Sequence, residues 1–249
     1  MIFKSIKFSA HKEILENKEC LPQPIKYNLP DWYKKLEHTP DSKTIKGCVP
    51  FLESLISGYV LKTFSDFRIK HNIVEGGERY TQQIHPRSRV KLGEGFFGQV
   101  NLNFSDDFHD IKQVKGSPML KKNNMLPIHK VLNPFHIKTP PGYSCLFLPP
   151  MNNTDDRFSI IPGIVNTDTF KPKVNFPIVI NGDKYPYLDE IIKAGTPYVQ
   201  IIPFKRDDWK MSITEATDED LHINEKEMTF KEKVIHTYRS LWWRKTTWN

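Results

Sequence analysis

Apolar and polar side chains alternate in short runs along most of this chain. "IFKSIKF", from Ile2 to Phe8, has the period of two expected of a half-buried strand. "DFRIKHNIV" (Asp66–Val74) repeats that period. "EGGERYTQQI" (Glu75–Ile84) follows with a Gly-Gly hairpin turn and a partner strand. Further strands are expected at Tyr59–Thr63, Phe135–Lys138, Tyr143–Leu148, Gly163–Asn166, Val174–Ile180 and Tyr198–Phe204. "INGD" (Ile180–Asp183) carries the Asn-Gly pair that favours a type I′ hairpin turn. In "KAGTPYVQIIPF", Gly195 marks a turn just before a buried strand.

Two stretches change period. "GCVPFLESLISGYVLKT" predicts a short helix over Pro50–Ser57, with proline in its first turn and Gly58 just past its end. Near the C-terminus, Phe230, Val234, Tyr238 and Leu241 share one face of a helix expected over Thr229–Arg244. Trp242, Trp243 and Trp248 would lock this segment onto the body or onto another subunit. One helical turn is expected over Asp31–Leu36, with Trp32 anchoring it. Strands do not alternate with helices, which disfavours a Rossmann architecture. The fold expected is mainly β: a jelly-roll-like or β-clip double-layer sandwich with one internal helix and a C-terminal helix. Residues 1–224 read as one β-rich domain, and residues 225–249 as a helical, aromatic and basic tail packed on it.

"NPFHIKTPPGYSCLFLPP" (Asn133–Pro150) fits this scheme. The Pro-Pro-Gly break turns the chain between two strands, and Gly142 supplies the backbone freedom. Tyr143, Cys145 and Phe147 fall on one face, and Ser144, Leu146 and Leu148 on the other. Both faces are partly apolar, so this strand should be interior.

Composition narrows the partners more than the chemistry. The formal charge of +7 favours an anionic ligand, yet the lysines are scattered and no nucleic-acid motif or arginine-rich stripe stands out. Three unevenly spaced cysteines, Cys20, Cys48 and Cys145, argue for a reducing compartment and against a disulfide framework. The N-terminal segment is too polar for a signal peptide, and no apolar run is long enough to span a membrane.

The motifs that resemble catalytic ones are incomplete. Gly93-x-Gly95-x-x-Gly98 resembles a protein-kinase phosphate loop. Its magnesium ligands and catalytic base are missing, so it reads as a glycine-tipped loop. Cys48 precedes a helix start beside Lys46, where a thiolate would be stabilised, but no His-Asn partner pattern accompanies it. No Gly-x-Ser-x-Gly elbow occurs. Nine histidines are present; only "HKE" (His11–Glu13) has the His-x-carboxylate spacing of a jelly-roll metal site.

Two resemblances add to this reading. "DWYKKL", "IKGCVPFLESLISGY", "NPFHIKTPPGYSCLF", "PGIVNTDTF", "VNFPIVI" and "AGTPYVQIIPFKRDDW" resemble an uncharacterised protein family of marine tailed phages, with bacterial relatives. That resemblance implies a viral source and no established activity. The order "TPPGYSCLFLPP", "IPGIVNTDTF", "KAGTPYVQIIPF" resembles the motif order of trimeric dUTPases and dCTP deaminases. Gly163, Ile164, Asp168, Gly195 and Gln200 match parts of those motifs. The water-activating acid of that family falls at Asn166, where an amide cannot serve as a base. Arg157 is the one phosphate contact left after the Tyr143–Leu148 strand. The resemblance implies a shared double-sheet topology without nucleotide hydrolysis.

The function expected is a phage-encoded, non-catalytic binding or structural protein without a cofactor, working in the host cytoplasm or in the virion, with a homo-oligomer formed through the aromatic tail. The alternative is an enzyme on a double-stranded β-helix, either a metal-dependent oxygenase or a divergent nucleotide-handling enzyme, with Fe(II) or Zn as its cofactor. The polar residues flanking the central strands are the candidate pocket: His85, Arg87, His129, His136, Asp168, Gln200 and Arg206. Of these, His85 or His136 with Asp168 would ligate a metal, and Arg87 or Arg206 would hold an anion.

Overall fold

The computed structural model describes residues 4–73, 81–86, 109, 111–120, 128–152, 155–222 and 237–249, with main chain alone at 81–86, 111 and 237. It is mainly β. Short antiparallel strands form several sheets, with few helices and no closed barrel among the described residues. The strands are β1 (Lys7–Ser9), β2 (Gln23–Pro24), β3 (Tyr59–Lys62), β4 (Phe67–Asn72), β5 (Thr81–Pro86), β6 (Lys130–Val131) and β7 (His136–Lys138). They continue with β8 (Tyr143–Leu148), β9 (Phe158–Ile160), β10 (Gly163–Val165), β11 (Phe176–Ile180), β12 (Tyr187–Ile192) and β13 (Pro197–Lys205).

The largest sheet runs β10-β8-β13-β3-β2. A second runs β6-β11-β9, a third β12-β4-β5, and β1 pairs with β7. The first three meet in one apolar cluster. Leu61, Phe147, Val199 and Ile201 come from the largest sheet, Phe176, Ile178 and Ile180 from the second, and Phe67, Ile69 and Ile192 from the third. Phe147 and Phe176 lie 5.4 Å apart between ring centroids, joining two of the layers. Each such side chain, when fully buried, contributes about 1.5–3 kcal/mol, and this shared burial holds otherwise marginal strands together.

β8 is the interior strand that its two half-apolar faces predict, paired with β10 on one side and β13 on the other. Before it, Gly142 adopts φ +82°, which an L side chain rarely tolerates. The turn carries the chain out of the β1-β7 pair and into the largest sheet. The internal helix α3 (Val49–Ile56), which follows α1 (Lys12–Glu16) and α2 (Asp31–Lys35), has Pro50 in its first turn as predicted. Ser57 caps its end, and Gly58 follows with φ +82°.

Three expectations are corrected. The Asn181-Gly182 turn does not close a hairpin: β11 pairs with β9 and β6, while the following strand β12 pairs with β4. Gly182 is not in the left-handed region that a type I′ turn requires. The Asn181 carbonyl instead accepts from Lys184 N (3.2 Å) and Tyr185 N (2.8 Å), which bends the chain toward another sheet. Trp32 is not the anchor of α2. It stays 39% exposed against Phe51, while Tyr33 is 4% exposed. At the C-terminus only α4 (Thr237–Leu241) falls within the described part of the expected helix, and Tyr238 and Leu241 remain about half exposed. The tail docks through two of the three tryptophans expected to lock it onto the body. Trp243 Nε1 donates to Glu53 Oε1 (2.6 Å), and the Trp248 ring packs edge-on against Tyr59. The Gly-Gly turn, the Gly93–Gly98 loop, Phe230 and Val234 lie outside the described residues.

Candidate functional site

Two of the sequence-derived candidates come together, at the entrance to β8. β10 leads into the loop that carries Asn166 and Asp168, and Arg206 follows directly on β13. Antiparallel pairing of both strands with β8 brings these residues to the same end of the sheet. Arg206 Nη1 donates to Asp168 Oδ1 (2.9 Å) and Nη2 to Asp168 Oδ2 (2.5 Å), a two-pronged ion pair. Asp168 also accepts from the Gly142 backbone N–H at 2.8 Å, and its side chain is 7% exposed. The Arg206 guanidinium, aided by the Gly142 N–H, lowers the Asp168 carboxyl to about 2.

The network continues inward. Arg206 Nη1 reaches the Tyr143 carbonyl and Ser144 Oγ, both at 2.9 Å, and Ser144 Oγ donates to Asn166 Oδ1 at 2.8 Å. Asn166 is thus a fixed acceptor in a structural chain. Behind it, Thr139 and Thr167 share a buried hydrogen bond of 2.7 Å. Every group in this chain has a protein partner, which makes it a clamp across β8, β10 and β13.

Beside the clamp lies a cleft of about 300 Å³, between the N-terminal segment, Tyr59, Tyr143 and tail residues Thr246–Trp248. Two of its lining side chains, Lys4 and Trp248, can only donate. Lys4 Nζ sits 4.5 Å from the Tyr143 ring centroid and donates to its hydroxyl. Trp248 Nε1 is buried without an acceptor among the described residues. A second cleft, of about 230 Å³, opens between the loop after β8, the start of β9 and the start of β13. It carries Asp155 and Asp156, but both carboxylates are neutralised. Asp155 is held by Arg157 (2.7–2.9 Å), and Asp156 by Lys184 (2.9–3.0 Å) and Tyr185 Oη (2.7 Å).

The remaining candidates are dispersed. Gln200 is fully buried and acts as a brace: its Oε1 accepts from Met151 N (2.9 Å), and its Nε2 donates to the carbonyls of Ser54 (3.1 Å) and Ser57 (2.8 Å). His129 is buried just before β6, and burial lowers its imidazole to about 4. His136 is exposed, with its Nδ1 3.2 Å from the Lys171 carbonyl. His85 lies on β5, where the main chain alone is described, and Arg87 lies outside the described residues. Asp168, proposed from sequence as a metal ligand, presents both oxygens to Arg206 and Gly142. Among the described residues no three His, Cys, Asp or Glu side chains gather as a metal site. Arg157, the one phosphate contact the sequence left open, is already paired with Asp155 and Glu190. Cys48 stands at the start of α3, but Lys46 donates to the Lys34 (3.0 Å) and Leu36 (2.8 Å) carbonyls.

Sequence reasoning missed Lys4, Tyr143 and Trp248 as site residues. The aromatic tail and the strand start were both visible, but nothing local to either sequence joins segments more than a hundred positions apart. Compared with known proteins, the chain matches no protein-family model and no curated protein.

Proposed function

We propose that this chain is a non-catalytic binding protein that holds a small anion with an apolar body in the cleft between Lys4, Tyr143 and Trp248. The observation that carries the reading is that the Trp248 indole N–H is buried without an acceptor among the described residues, on a cleft that Lys4 also lines. Indole can only donate. A buried donor left unpaired costs about 1–3 kcal/mol, and an acceptor atom from a ligand removes that cost. The net charge of +7 adds long-range attraction for an anion. Tyr59, Tyr143 and Trp248 offer ring faces to an apolar body. The proposal extends to a phage-encoded protein of the host cytoplasm or the virion, with the aromatic tail as its self-association surface.

A thermal-shift and calorimetry screen with aromatic carboxylates and nucleoside monophosphates tests this. At saturation an anionic ring compound should raise the melting temperature by about 5 °C or more. The effect should weaken with salt and vanish in the Lys4→Ala, Trp248→Phe double variant. A shift that survives in that variant, or none with any anion, defeats the proposal. Stoichiometric iron or zinc in protein purified without a tag, or turnover of a nucleotide, would replace it with the enzyme reading.

A further inference from the structure

We propose that the second cleft, at the start of β13, is a separate binding site for a small uncharged ring compound with a cyclic-amide edge, one carbonyl next to one N–H. The inference does not rest on the anion cleft, with which it shares no residue. Tyr198 lines this second cleft and is 4% exposed, yet among the described residues its hydroxyl has no hydrogen-bond partner. Asn181, on the same cleft, has a buried Oδ1 that no donor among the described residues reaches. Buried polar groups in native proteins are nearly always paired, so the orphaned Asn181 oxygen, on the same cleft as an unused phenol, calls for an explanation.

The chemistry of the ligand follows from what is already satisfied. Asp155 and Asp156 each accept from cationic partners held within 3.0 Å, so the cleft leaves no unbalanced charge for a charged ligand to pair with. A charged ligand would lose its hydration without compensation. The unused groups are neutral: a phenol that donates and an amide oxygen that accepts. A carbonyl and an N–H on one rigid ring offer a partner to each, and the rigidity limits the entropy lost on binding. Pro149, Pro150, Pro197 and Phe158 supply flat apolar walls, and the volume of about 230 Å³ holds one or two fused rings. Burial also pushes the Tyr198 phenol above its ordinary range, so it remains a donor at neutral pH.

The test is saturation-transfer NMR with titration, using 2-piperidone, 2-pyridone and hypoxanthine as probes, and cyclohexanol and benzoate as controls. The cyclic amides should bind and the controls should not. Tyr198→Phe removes only the hydroxyl. It should weaken binding about tenfold while leaving the melting temperature unchanged or raised, because that hydroxyl has no bond to lose. Asn181→Ala should weaken binding similarly, since the turn is held by its main chain. The Lys4→Ala, Trp248→Phe variant should bind the cyclic amides normally, which separates this site from the anion cleft. Failure of all three amides to bind, equal binding of cyclohexanol, or full affinity in Tyr198→Phe would each overturn the proposal and leave a cleft filled by water.

Discussion

At Gly58 a single missing carbon decides a contact. A Cβ built there would lie 2.0 Å from the Ile201 carbonyl oxygen, on the central strand β13, and the residue already sits at φ +82°. Neither the steric clash nor the backbone conformation can relax without moving the sheet. Gly58→Ala should therefore cost at least about 2 kcal/mol, read as a lower denaturation midpoint at constant slope. An unchanged midpoint would mean that α3 and β13 are less tightly apposed than described. The sequence marks Gly58 as a helix stop, and it is one. The close approach of Ile201, 143 positions away, is not a local property and could not be read there. Asp168 and Arg206 show the same division: each was a visible candidate, but their two-pronged pairing depends on strand register.

Among the elements, the tail depends most on a few polar and aromatic contacts. Trp243 donates to Glu53 on α3, Tyr59 Oη reaches the Asn249 main-chain oxygen at 3.2 Å, and Lys26 donates to the Trp248 carbonyl. Trp243→Phe removes one charge-assisted hydrogen bond while keeping an aromatic ring. It should loosen the tail by about 1–2 kcal/mol, seen as faster protease cleavage within residues 237–249 and a global midpoint that barely moves. Equal cleavage rates would show that Trp248 alone holds the tail. Two of the three tryptophans that the sequence singled out, Trp243 and Trp248, do dock, but the groups they meet were not legible. Periodicity identifies a shared face, whereas docking depends on which surface is opposite. The Asn181-Gly182 turn makes the same point for strands. Its composition predicts a reversal, and a turn forms, but β11 pairs with β9 and β6 while its neighbour in sequence pairs with β4.

For the molecule as a whole, pH is the most direct probe of the packing. His71 is 1% exposed on β4 with neither ring nitrogen paired among the described residues, and burial lowers its imidazole to about 4, as it does for His129. A lowered folded value means that the unfolded chain takes up the proton first. Stability is then complete above about 6.5 and is lost as pH falls toward 4, by roughly 3 kcal/mol per histidine. The lowered Asp168 carboxyl extends the loss below pH 4. Urea midpoints measured across this range should fall steeply. His71→Phe, which removes the proton acceptor and keeps the ring, should flatten the fall; an unaltered profile would place the acid sensitivity elsewhere. Sequence by itself determined the class of fold, because alternation, proline breaks and glycine turns are local and act before any long-range contact forms. It also named Asp168 and Arg206 as polar groups near strand ends. Tertiary structure alone decided which strands pair, which charges neutralise one another, and which donors and acceptors are left unpaired on a cleft. Those outcomes depend on distances between segments far apart in the chain, and no local pattern encodes them.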